Sequence, residues 1–194
     1  MRCQLQRKVD SMATLLKEHK APARTTTTCG GNDVGGKYLT FRLANEEYGV
    51  EILKVREIIG VMDITAVPRM PVYMKGVINL RGKVIPVVDL RLKFDLDEIA
   101  HTEETCIIVV DVGREVGIIV DTVSEVMDIK ADNIDPPPAM GGAVDTTFIL
   151  GMGKIGDDVK ILLDIDKVMT TSELANIESV AESAGDTIKA QETL

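Results

Sequence analysis

Arg81 is the residue whose chemistry most needs explaining. It lies in GVINLRGKVIPVVDLR, residues 76–91. Val77, Ile78 and Leu80 precede Arg81-Gly82, and Val84, Ile85, Val87 and Val88 follow it. β-branched runs broken by X-Gly predict two strands joined by a tight turn. A guanidinium at that apex offers a permanent charge and a rigid fork of N–H donors suited to carboxylates. Glu57 and Asp89 are the acidic partners available in the same half. Held by a carboxylate beside apolar Val55 and Val77, Arg81 would be a preset recognition element, a use for which arginine is enriched at binding hot spots. A solvated turn residue is the plainer alternative. Asn79 can satisfy the hairpin backbone or face a partner. Pro86 within a strand predicts an edge or a bulge.

The other reactive side chains form no catalytic set. His19 lies in the N-terminal tail and His101 in a charged loop, neither with a plausible Ser, Cys or carboxylate companion at a strand end. Cys106 sits inside TCIIVVDV and reads as a buried, inert thiol; Cys3 and Cys29 lie in a polar tail. The three make neither a disulfide framework nor a metal quartet. Asp95, Asp97, Glu98, His101, Glu103 and Glu104 form an acidic run without the alternating ligands and central Gly of a calcium loop, so they read as a solvated charge run. GMGKIG, 151–156, lacks the four-residue gap and the Ser/Thr of a phosphate loop and reads as a turn. No metal or cofactor is expected.

These residues must be positioned by short strands. YLTFRL (38–43), EYGVEI (47–52), TCIIVVDV (105–112), VGIIVDTV (116–123) and VKILLDI (159–165) join the hairpin in a mostly all-β pattern. Helix is expected at 51–58, at 89–94 and after Ser172. With 3% aromatics and no Trp, the core must be aliphatic, which disfavours stacking platforms for nucleic acid. Residues 1–36 hold six Lys/Arg against three Asp/Glu, whereas 37–194 hold 16 against 28, a net −12. That charge fits neither a nucleic-acid backbone nor anionic lipid. No apolar run approaches the ~18 residues of a membrane helix, so a cytoplasmic protein without membrane insertion is expected. Residues 1–36 read as a flexible basic extension, with weak helical spacing over 4–20, and 178–194 as an acidic tail.

The sequence also repeats. YGVEILKVREI (48–58) aligns with VGIIVDTVSEV (116–126) at an offset of 68, pairing Gly49 with Gly117, Val55 with Val123 and Glu57 with Glu125. KGVINLRGKVIPVVDLR (75–91) aligns with LGMGKIGDDVKILLDID (150–166) at an offset of 75, pairing Gly76 with Gly151 and Asp89 with Asp164. A Pro-containing connection, VPRMP (67–71) or IDPPP (134–138), lies between the blocks in each half. Two matching blocks in one order indicate duplication. Each unit is too small to hold a sufficient core alone, so the two should pack together and leave a groove for a partner.

FRLANEEYGVEILKVREIIG (41–60), MPVYMKGVINLRGKVIPVVDLR (70–91), VGIIVDTVSEV and VKILLDIDKVM (159–169) resemble the CheW family of chemotaxis adaptors. The family shares its domain with the regulatory end of the histidine kinase CheA and with CheV proteins. The resemblance spans 38 to about 177 and is to stand-alone members, since neither a kinase motif nor a receiver pattern is present. It implies two packed five-stranded SH3-like β-barrels with short helices and a C-terminal helix. The CheW-like domain is expected over 37–177, with halves near 37–104 and 105–170.

The resemblance implies no catalysis and no cofactor. It implies an adaptor that couples methyl-accepting chemoreceptors to the CheA regulatory domain, cytoplasmic and recruited to receptor arrays. Receptor-contact positions carry over to Val55, Glu57, Gly76, Arg81 and Val126, with Cys106 where a small aliphatic is usual. Ile58 carries over as a kinase contact. The receptor's helical tip is expected in the groove between barrels. The basic extension and the short Gly113-Arg114-Glu115 turn depart from the family pattern. A receptor-binding module of a different chemosensory pathway and a small β-barrel enzyme are the alternatives.

Overall fold

The computed structural model describes residues 34–137, 147–156 and 158–169. The segments expected to be helical at 4–20 and after Ser172, and the 178–194 tail, lie outside these residues.

Eleven strands are described: β1 (Gly36–Leu43), β2 (Glu46–Glu51), β3 (Val55–Gly60), β4 (Met74–Leu80), β5 (Lys83–Asp89), β6 (Cys106–Asp111), β7 (Glu115–Val120), β8 (Thr122–Ile129), β9 (Ile134–Asp135), β10 (Ile149–Ile155) and β11 (Asp158–Leu163). Two single-turn helices, α1 (Leu90–Lys93) and α2 (Ile165–Val168), close the two repeats. One sheet runs β8-β1-β2-β11-β10-β9 and the other β3-β6-β7-β5-β4. The two-residue β9 matches an isolated bridge from Thr65 to Val77 in the second sheet, so the barrels have equivalent frames.

The duplication is visible strand by strand. Leu162 stands opposite Gly49 in the parallel β11–β2 pair, and Val87 opposite Gly117 in the parallel β5–β7 pair. β4 shifts register between Met74 and Gly76, and β10 does so between Ile149 and Gly151, each 75 residues on. A Cβ on Gly49 would lie 2.9 Å from Leu162 Cδ2, and one on Gly117 would lie 2.8 Å from Ile107 Cγ2. The glycines let the central strands approach.

The sheets do not follow the halves 37–104 and 105–170. β1 and β2 lie in the sheet of β8–β11, whereas β6 and β7 lie in that of β3–β5. Each repeat places its first hairpin in the other's sheet. The cores follow from period-two alternation on β6. Cys106, Ile108 and Val110 face the large core shared with Leu39, Phe41, Leu43 and Val50 of the other sheet. Ile107 and Val109 face a separate core with Ile78, Ile85 and Val87. A smaller core gathers Tyr38, Ile129 and Leu162. Four of the six aromatics, Phe41, Tyr48, Phe94 and Phe148, stack at centroid spacings of 6.0, 5.8 and 5.1 Å.

Two expectations change. The helix expected over 51–58 is a 3-10 turn, Ile52–Lys54, followed by β3. Pro86 lies in β5, which pairs on both sides and is no edge. The β7 ladder begins only at Val87, so no bond from β7 requires the missing Pro86 N–H.

Candidate functional site

The β4–β5 hairpin forms as its residues require. Leu80 pairs with Lys83, leaving Arg81 at φ +54 and Gly82 at φ +84 as the two turn residues. Two successive positive φ values give a type I′ turn, whose twist matches the strands. Asn79 satisfies the hairpin backbone: its Oδ1 accepts from Gly82 N at 2.9 Å.

Arg81 projects from this apex, its side chain 77% exposed, and its Nη2 donates to Glu57 Oε1. Glu57 is 24% exposed. Glu57 lies on β3 and Arg81 follows β4, the opposite edges of the five-stranded sheet, so the pair ties those edges together. Asp89 is not a partner of Arg81. It is buried, and its Oδ1 accepts from Arg91 N at 2.9 Å and Leu92 N at 3.4 Å, capping α1.

Further ion pairs flank the hairpin. Arg56, preceding Glu57, donates to Asp111, whose carboxyl is held below its ordinary range chiefly by that bond. Lys83 reaches Glu115 at 3.2 Å. Lys54 meets Asp166 of α2 at 2.5 Å, which raises the lysine's pKa. Sequence reading missed these pairs because their acids lie 32 to 112 residues away.

The CheW-like domain family matches residues 37–173. The chain belongs to that family. It is 41% identical to the chemotaxis protein CheW of Klebsiella aerogenes over 160 residues, covering 82% of this chain and 96% of that one. It is 30% identical to the protein FrzA of Myxococcus xanthus over 139 residues, covering 70% and 86%. Among solved structures it is similar to the scaffolding protein TtCheW from Thermoanaerobacter tengcongensis. That likeness has a TM-score of 0.66 and 35% identity, over 72% of this chain and 96% of that one.

Within this CheW-like domain the expected contact residues divide by burial. Arg81 is exposed, and Glu57 and Val126 are half-buried. Val126 lies on β8, in the other sheet, and packs against the shared core. Val55 is 6% exposed, Ile58 2% and Cys106 0%, all three inside the shared core. They help pack the barrels together. Gly76 is buried too: at φ +140, a Cβ there would lie 2.1 Å from Thr65 O. It lies at the close approach between β4 and the Thr65 segment. His101 is exposed while Cys106 is enclosed, so no cleft joins them.

Proposed function

We propose that this protein is a non-catalytic chemotaxis adaptor that couples methyl-accepting chemoreceptors to the histidine kinase CheA, with Arg81 and Glu57 at its receptor-contact surface. Family membership supports the adaptor reading, and the Arg81–Glu57 pair carries the site. Its guanidinium is mostly exposed yet anchored at one end by a carboxylate and mounted on a fixed type I′ turn. An exposed ion pair contributes only about 0–1 kcal/mol to stability, so the arrangement matters chiefly for presenting a cation in a set direction. The CheA regulatory domain meets another part of the surface, and Ile58 acts there only through the packing of β3. The protein works in the cytoplasm at receptor arrays.

The test is Arg81→Glu, assayed against a purified receptor cytoplasmic fragment and a CheA regulatory domain. Receptor binding should weaken by about tenfold or more, kinase-domain binding should hold, and the thermal midpoint should stay near wild type. A variant that unfolds, or that changes neither interaction, rejects the site.

A further inference from the structure

The two repeats keep the same carboxylate, but only one keeps its cation. The offsets of 68 and 75 place Glu125 on Glu57 and Gly156 on Arg81. Strand pairing supports the match. Ile58 faces Ile108 in one sheet and Val126 faces Leu39 in the other, each beside a register shift. Arg81 neutralises Glu57 in the first case. Glu125 is exposed and has no ion pair among the described residues.

The site around Glu125 is firmly mounted and open. Glu125 N donates to Thr40 Oγ1 at 3.2 Å, and Thr40 Oγ1 donates to Glu125 O at 3.0 Å, so one hydroxyl fixes the backbone on both sides. Gly156 has φ +61, close to the +54 of Arg81, and nothing lies within 4 Å of where its Cβ would stand. Residues 37–194 carry a net −12, with 16 Lys/Arg against 28 Asp/Glu, a field that draws cationic surfaces toward this exposed carboxylate.

We propose that Glu125 receives an arginine or lysine side chain of the chemoreceptor tip, held where the Arg81 guanidinium stands in the first barrel. This rests on the receptor reading above. Val126, the position that reading carries on the second sheet, is the next residue along β8. The two equivalent barrel ends thus differ in charge: Arg81 offsets Glu57 on one, while the matching Glu125 has no such cation among the described residues on the other. A partner that sets a base on Glu125 distinguishes the two ends, which fixes its orientation.

The experiment titrates the receptor cytoplasmic fragment and, separately, the CheA regulatory domain against wild type, Glu125→Gln, Glu125→Arg and Gly156→Arg. Glu125→Arg should weaken receptor binding by about tenfold, with Glu125→Gln intermediate. Gly156→Arg, which sets a cation of the chain's own opposite Glu125, should weaken it as well. Kinase-domain binding should be unchanged throughout. Glu125→Gln keeps shape at an exposed position, so a loss there is not a folding loss. Receptor binding within about twofold of wild type for both Glu125 variants, the charge reversal included, overturns the inference while leaving a positive Arg81→Glu result intact. An equal loss toward the kinase domain overturns it too. Failure of the wild-type protein to bind the receptor fragment overturns both this inference and the receptor reading.

Discussion

A guanidinium and a carboxylate meeting in water hold each other weakly, so single residues here act through direction and shape more than through pairing energy. Glycine at 76 shows the shape limit. A side chain there meets the Thr65 carbonyl and forces φ +140 on a residue that avoids it. Gly76→Ala should cost about 3 kcal/mol or more, combining strain with displaced backbone, read as a lower denaturant midpoint in urea. Glu47 shows where charge does count. Lys160 Nζ donates to it and Ser124 Oγ donates at 3.2 Å, and the lysine bond holds its carboxyl below the ordinary range. With the folded-state pKa depressed, its contribution is complete above the unfolded value of about 4.3 and fades as pH falls through the lower folded value. Glu47→Gln should therefore lose less stability than wild type as pH drops below about 4.3, measured by urea melts across pH. Arg81 and Glu57 were legible in the sequence because a charged turn and a repeated acid stand out. Cys106 was legible as a buried thiol from the apolar run around it, and it is buried. Val55 and Ile58 were not: an apolar residue in a strand looks the same whether it faces a partner or a neighbouring sheet.

At the scale of elements, local pattern and tertiary pairing disagree in two places. ILKVREI has apolar residues at helical spacing, yet Val55, Ile58 and Ile59 are β-branched and pair with β6 from Val55 to Gly60. The ladder outweighs a short helix that would have closed few bonds of its own. Pro86 reads as an edge marker only if both neighbouring ladders extend past it, and one does not. α1 was legible, since Asp89 precedes Leu90-Arg91-Leu92 as a cap should. Asp89→Ala removes that cap and should cost about 1–2 kcal/mol, seen as a lower thermal midpoint with the β-sheet signal unchanged in the cold. The loss at Asp164 should be smaller, because its side chain makes no such cap bond and pairs with Lys167 at 2.8 Å instead.

For the whole molecule, the repeat was legible but its assembly was not. Sequence alignment shows which segments correspond; it does not show that β1–β2 and β6–β7 cross to the opposite sheet, because both arrangements bury the same residues. The shared core joins strands from both sheets, so the barrels should melt in one transition, with fluorescence-free probes such as far-UV circular dichroism and amide NMR coinciding. Residues 34–104 made alone should be unfolded, lacking the sheet that receives β1 and β2; mixing them with 105–169 should restore structure. A crossing of this kind is what two separate polypeptides do when they trade identical arms. Joined end to end by the Phe94–Glu104 connection, the arms trade within one chain instead of between two. The fold thus has the geometry of a swapped homodimer closed within one chain, in which each copy can differ, as arginine at one barrel end and glycine at the other do.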